Sequence, residues 1–180
     1  MVSRWIANTI QSGYRLQFHT SPPPFVGVLE TTLTSEIQNQ TLAKEVADLL
    51  LRGAVELVPP QLRLGGHYSR YFLVPKKPEK GGGLRPILDL RGLNPYITKM
   101  WFHMISNREL LEGISPGEWF VSIDLKDAFY HVAIHPQYYK YLRFSFQGVA
   151  YQYRVLPFGY ALAPRTCSLP WSLCYAGGLL

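Results

Sequence analysis

At 180 residues and 20.6 kDa the chain has the size of one ordinary domain or two small lobes. Its 47% hydrophobic content is enough for a buried core without disulfides and excludes disorder as the main state. Eighteen Lys and Arg against twelve Asp and Glu give +6 and a pI near 9.4, which suits a polyanionic partner or simply a mildly basic surface.

The first 34 residues read as an irregular, extended arm, because Ser21-Pro22-Pro23-Pro24 cannot continue a helix. Ser35-Glu36-Ile37-Gln38 has the pattern of a capping box. Apolar residues follow at Ile37, Leu42, Val46, Leu49 and Leu50, and Gly53 is a stop signal, so a helix is predicted over 36–52. Tyr71 to Pro75 reads as a strand, Lys76 to Gly83 as a basic, glycine-rich turn, and Leu84 to Leu90 as the returning strand. Ser106-Asn107-Arg108-Glu109 is a second capping box, opening a short helix to about Gly113, and Pro116-Gly117 is a turn. Trp119 to Ile123 is an apolar run read as a buried strand that ends on Asp124, and Ala128-Phe129-Tyr130 forms a tight helical turn. Strands at 142–146 and 149–153 flank Gln147-Gly148, a hairpin signal. Leu156-Pro157-Phe158-Gly159 breaks the second strand, and a helix opens between Ala161 and Thr166.

Three groups of residues have the chemistry of a site. A carboxylate at a strand end is a good anchor for a hard cation, so Asp124 is a candidate ligand. Asp127, three residues on, either shares that site or caps the next turn. Lys76, Lys77, Lys80 and Arg85 give the hairpin a positive tip that suits phosphate, or that is merely a solvated turn. Phe129, Tyr130 and Phe158 either wall a base or sugar pocket or pack as core. Only four Asp occur, at 48, 89, 124 and 127, with no adjacent pair, and a two-metal site needs more than one well-placed carboxylate. The five His form no ligand pattern, and Cys167 and Cys174, the only cysteines, match neither a disulfide scaffold nor a zinc spacing. The N-terminus lacks an apolar signal region and no stretch is long enough to span a bilayer, so an intracellular protein of cytoplasm or nucleus, not secreted, is expected.

The order of four blocks carries more than any one of them: VPKK, LRPILDLRGLN, SIDLKDAFYHVAIHP and YLRFSFQGVAYQYRVLPFGYALAPRT. In this order and spacing they resemble the reverse transcriptases of retrotransposons, most of all DIRS-type elements, from about Glu56 to Thr166 and more weakly back to Trp5. The resemblance implies an α+β, right-hand polymerase fold with fingers and a partial palm. It divides the chain into an arm at 1–34, fingers at 35–98, the first part of the palm at 99–131, a fingers hairpin at 132–155, palm again at 156–166 and a divergent tail at 167–180. It implies that Lys77, or Lys76 in its place, and Arg85 contact the triphosphate of an incoming deoxynucleotide. Asp124 is then the first catalytic carboxylate, binding two Mg²⁺ (or Mn²⁺) with help from the Leu125 carbonyl. The amides of Asp127 and Ala128 touch phosphate, Phe129 is the steric gate against a ribose 2′-hydroxyl, and Phe158 and Gly159 line the nucleotide and template side. Retroviral enzymes usually have Gln where Phe158 stands, so packing replaces hydrogen bonding there. The partners implied are an RNA or DNA template with its primer and deoxynucleoside triphosphates, with no membrane.

After Thr166 the sequence reads CSLPWSLCYAGGLL and departs from the family, and no Tyr-x-Asp-Asp hairpin is present. The expectation is a reverse-transcriptase fragment without the second carboxylate motif, thumb or ribonuclease H domain, inactive alone. A non-catalytic nucleic-acid-binding remnant, or a gene-model product without function, is the alternative.

Overall fold

The computed structural model describes residues 4–77, 82–103, 106, 108–109, 117, 119 and 125–167. The arm is not extended at its start. Arg4–Ser12 is a helix, α1, with Ile6 buried and the Trp5 ring edge-on to Tyr14 at 6.2 Å. Beyond it the arm does wrap the body. Tyr14 bridges Ile134, Phe18 bridges Ile97, and β1 (Glu30–Thr31) lies parallel to β6 (Arg143–Phe146).

Helix α2 (Glu36–Leu51) follows the predicted span, but its buried stripe is narrower than the sequence suggested. Leu42, Val46 and Leu49 face the core at i, i+4 and i+7, while Ile37 and Leu50 are exposed. The capping box at its start does not form. Ser35 makes no side-chain cap bond; its carbonyl instead accepts from the Asn39 backbone N–H at 3.0 Å and from Asn39 Nδ2 at 3.1 Å. At the other end Gly53, with φ +66, donates to Leu50 O at 3.0 Å and Ala54 donates to Leu49 O at 2.9 Å, a Schellman closure that only a left-handed residue completes easily.

Among the described residues one sheet has the strand order β1-β6-β7-β2. Strand β2 (Val55–Leu57) is antiparallel to β7 (Val149–Tyr153), and β7 is antiparallel to β6. Strand β3 (Tyr68–Ser69) lies parallel to β6 on the same edge as β1, one after the other. Gln147 and Gly148 join β6 to β7 with φ +50 and +73, the doubly positive turn that matches strand twist. Strands β4 (Tyr71–Pro75) and β5 (Leu84–Leu88) form a separate antiparallel ribbon with Val74 opposite Arg85. The returning strand was expected to reach Leu90. It stops at Leu88, because Asp89 turns the chain and its carboxylate caps a short 3-10 turn through the Arg91 N–H at 3.1 Å.

The core between these elements is rich in tyrosine. Tyr14, Tyr68, Tyr153 and Tyr160 are almost fully enclosed with Phe144, Leu142 and Leu156. A buried hydroxyl left unpaired costs about 1–3 kcal/mol, and most of these find one another. Tyr71 pairs with Tyr153 and Tyr14 with Tyr160. Burial pushes the Tyr71, Tyr153 and Tyr160 phenols far above their usual pKa. The buried Arg143 is also partnered: it donates to Leu62 O at 2.6 Å, Gly65 O at 2.8 Å and Gln152 Oε1 at 3.1 Å, fastening the 60–67 loop to the sheet.

The second capping box does form. Ser106 N donates to Glu109 Oε2 at 2.7 Å and Glu109 N to Ser106 Oγ at 3.3 Å; the Ser106 N–H, with its hydroxyl and His103, holds the Glu109 carboxyl down at about 2. The rest of that helix lies outside the described residues. So do Phe120 to Asp124 of the predicted buried strand; Trp119 at its head is fully exposed. Residues 163–167 are helical, as expected of the segment after Gly159. Among the described residues no helix is long and apolar enough to cross a membrane.

Candidate functional site

The β4–β5 ribbon sorts its cations by alternation. Lys76 N donates to Gly83 O at 2.8 Å, so pairing continues one residue past β4. In this register Lys76 and Arg85 fall on the face that carries Phe72, Val74 and Ile87, with Tyr71 and Leu88 on the other. Both cations are exposed; Lys77 is exposed beyond the last ladder bond, and Lys80 lies outside the described residues.

The ribbon leads into Leu90–Gly92 and Asn94–Tyr96, two short 3-10 turns. Asn94 reaches from there to the Leu156-Pro157-Phe158-Gly159 turn. Its Nδ2 donates to Gly159 O at 2.9 Å and its Oδ1 accepts from Ala161 N at 3.0 Å. One side-chain amide thus stands in for a strand partner across the turn. Gly159 has φ +91, and a β-carbon there would sit 3.4 Å from Leu88 O. The end of the ribbon and the LPFG turn are therefore held together by backbone contact and by Asn94. Nothing in the sequence pattern singled out Asn94; its place at the end of the LRPILDLRGLN block was the available signal.

On the turn Phe158 points out, with 46% of its surface exposed. Phe129 packs on it at a centroid distance of 4.8 Å and Tyr130 at 5.3 Å. These three aromatics, separated by about thirty positions in sequence, do come together. The Tyr130 hydroxyl hydrogen-bonds Tyr153 and is pushed up to about 12 by burial, so this phenol stays neutral. Phe129 and Phe158 are the members of the wall that present hydrocarbon alone.

The Asp127 side chain does not cap the 3-10 turn Ala128–His131. Its Oδ2 accepts from Arg52 Nη1 at 2.7 Å, across 75 residues of sequence. Its backbone is left-handed, φ +55 and ψ +40, and its carbonyl accepts from Tyr130 N at 2.8 Å. Leu125 and Ala128 are half-buried beside it. Asp124 lies outside the described residues. Among the described residues no three His, Cys, Asp or Glu converge as a metal site. An open cleft of about 540 Å³ bounded by Leu57, Val58, Pro60, Arg63 and Val149 shares no residue with this aromatic wall.

A mixed α+β fold with a strand-and-turn ribbon set over an aromatic-walled turn defines a class, and comparison with solved proteins gives its name. The chain superposes on the protease–reverse transcriptase of Prototype Foamy Virus with a TM-score of 0.69 over 91% of its own length and 21% of that chain, at 19% identity. The fold is therefore the fingers and palm architecture of that enzyme.

The model of the reverse transcriptase (RNA-dependent DNA polymerase) family matches residues 74–170, just over half of the sequence, and the chain belongs to that family. The match runs past Thr166, where the sequence itself had suggested that family likeness ends. Curated relatives include the Gag-Pol polyprotein of Walleye dermal sarcoma virus, 35% identical over 85 residues. The Gag-Pro-Pol polyprotein of Sheep pulmonary adenomatosis virus is 34% identical over 134 residues. These alignments cover 47% and 65% of the chain and 5% and 7% of the relatives, so the chain spans a small part of the polyproteins it matches.

Proposed function

We propose that these residues are the fingers and opening palm of a retroelement polymerase, DIRS-like in its motifs, and that they receive a deoxynucleoside triphosphate against a primed RNA or DNA template. The observation that carries this reading is the convergence of Phe129 and Phe158, 4.8 Å apart, beside the left-handed turn at Asp127 and at the foot of the basic ribbon. Arg85 grips triphosphate oxygens with its fork of donors, and Lys76, on the same face, adds a point charge. The shared face favours Lys76 over Lys77 for that role. The amides of Asp127 and Ala128 donate to phosphate, the Phe129 ring takes the space of a 2′-hydroxyl, and Phe158 and Gly159 border the base. The lobes divide as the motifs imply, with fingers over 35–98 and 132–155 and palm over 99–131 and 156–166. Asp124 and the Leu125 carbonyl are the proposed holders of divalent metal, magnesium first, which supplies charge neutralisation at the reacting phosphate.

The test is a comparison of dTTP with UTP on the chain loaded with an oligo(dT)–poly(rA) primer–template. Wild type prefers dTTP, Phe129→Ala erases the preference, and Arg85→Ala weakens both nucleotides. Equal binding of the two by wild type, or indifference to both substitutions, overturns the reading. With Mg²⁺ or Mn²⁺ these 180 residues bind without elongating the primer, since the sequence carries no Tyr-x-Asp-Asp motif. Elongation that disappears in Asp124→Ala would show that they are a polymerase on their own.

A further inference from the structure

We infer that Arg52 is a positioning residue of this site: from the end of α2 it latches the Asp127 carboxylate and so fixes the turn whose amides face the nucleotide phosphate. The inference rests on the nucleotide reading above and adds to it a residue 75 positions away from the turn.

The latch is anchored at its base. Arg52 is the C-cap residue of α2, with φ −78 and ψ −6, and the Schellman closure through Gly53 and Ala54 fixes the backbone on both sides of it. A guanidinium there is also favoured by the negative end of the helix dipole. From that point Nη1 spans the gap to Asp127 Oδ2 at 2.7 Å.

The segment it holds has a left-handed backbone: Asp127 pairs φ +55 with ψ +40, a region that costs most non-glycine residues about 1–2 kcal/mol and Asp less. Its carbonyl then starts the 3-10 turn by accepting from Tyr130 N, and Phe129 O accepts from Val132 N at 3.1 Å. If Asp127 relaxes, the amides of 127 and 128 and the ring of Phe129 move together.

The charge around the latch makes its loss costly to the geometry. Arg52 and Lys76 act on the half-buried Glu45, which also feels Asp48 and Asp127. Burial holds the Glu45 carboxyl above its usual range, and Arg52 is the strongest influence opposing that. Removing Arg52 would leave Asp127 without its ion-pair partner and take from Glu45 the strongest influence holding its carboxyl down. The pair is partly exposed, with 47% and 33% of the two side chains accessible, so its effect lies in geometry more than in global stability.

The experiment measures dTTP affinity on the primer–template complex for wild type, Arg52→Ala, Arg52→Lys, Asp127→Asn and the double variant Arg52→Ala/Asp127→Asn. Arg154→Ala removes a comparable exposed arginine, one paired to Glu56, and serves as the charge control. Expected is a loss of about threefold to tenfold for Arg52→Ala and for Asp127→Asn, in line with one charge-assisted contact. The double variant should be no weaker than either single one, Arg52→Lys should recover most of the affinity, and Arg154→Ala should stay near wild type. Amide exchange in Arg52→Ala should quicken at 128–132 and stay unchanged at 143–153, which also certifies the fold. Losses that multiply in the double variant, or an Arg52→Ala indistinguishable from Arg154→Ala, overturn the latch alone. A wild type that takes up no dTTP overturns the nucleotide reading and the positioning role with it.

Discussion

Asn94 supplies with one side chain what two strands normally share, a donor and an acceptor facing a neighbouring backbone. Replacing it by Ala leaves Gly159 O and Ala161 N without these partners. Both contacts are solvent-exposed and each nets about 0.5–1.5 kcal/mol at most, so Asn94→Ala should lower the thermal midpoint by a few degrees. Asn94→Asp keeps the acceptor for Ala161 N but sets a carboxylate against Gly159 O, and should be worse than Ala in a melt at neutral pH. His67 offers a second residue-scale test. It is buried, its Nδ1 has no hydrogen-bond partner, and burial lowers its pKa below 6.5. The unfolded chain therefore binds this proton more readily than the folded one. As pH falls below about 6.5 towards the folded value, stability falls with it, and above 6.5 this contribution is constant. Urea midpoints taken between pH 8 and pH 5 should drop more steeply in wild type than in His67→Gln; parallel curves would show that His67 is not the group responsible.

At the scale of elements, local chemistry was readable wherever one short segment determined the outcome. Gly53 stopped α2 because its left-handed φ completes the Schellman bonds, and Ser106 with Glu109 closed a reciprocal cap. The same motif at Ser35 did not close: the Ser35 side chain makes no cap bond, and its carbonyl takes the ordinary first helical bond from Asn39 N–H with a second from Asn39 Nδ2. Helix α1 was missed because the prolines at 22–24 led the whole arm to read as extended, although RWIANTIQS is itself amphipathic at the helical period. The Gln147-Gly148 hairpin was legible from its glycine, yet Gln147 is not the residue that φ +50 prefers. Asn tolerates that conformation better than Gln, so Gln147→Asn should stabilise the chain by about 0.5–1 kcal/mol. The gain should appear as a higher urea midpoint with unchanged m-value. A loss would mean that Gln147 makes contacts worth more than its strained backbone costs.

The whole molecule sets the terms on which the site meets a polyanion. The aromatics, the ribbon cations and the LPFG turn were all picked out as sequence, but their meeting was not, because Arg52–Asp127, Asn94–Gly159 and Phe129–Phe158 are contacts between segments that share no periodicity. The net charge of +6 was visible too, though not its layout. Lys76, Lys77 and Arg85 are exposed on or beside one ribbon, whereas Arg52, Arg91 and Arg154 are already paired with carboxylates and Arg143 is spent on carbonyls. Cations with carboxylate partners release few counterions on binding, so the ribbon cations should contribute to the salt dependence of nucleic-acid affinity where Arg52, Arg91 and Arg154 do not. Each phosphate contact adds about 0.7–0.9 to the slope of log K against log salt. Lys76→Ala, Lys77→Ala and Arg85→Ala should each flatten that slope by roughly one phosphate equivalent on a primer–template. Arg91→Ala, which frees Asp89 and removes a paired charge, should change it less. Binding measured from 50 to 200 mM salt decides the matter. Equal slopes for all four variants would place the polyanion on another face of the molecule and leave the ribbon as a solvated turn.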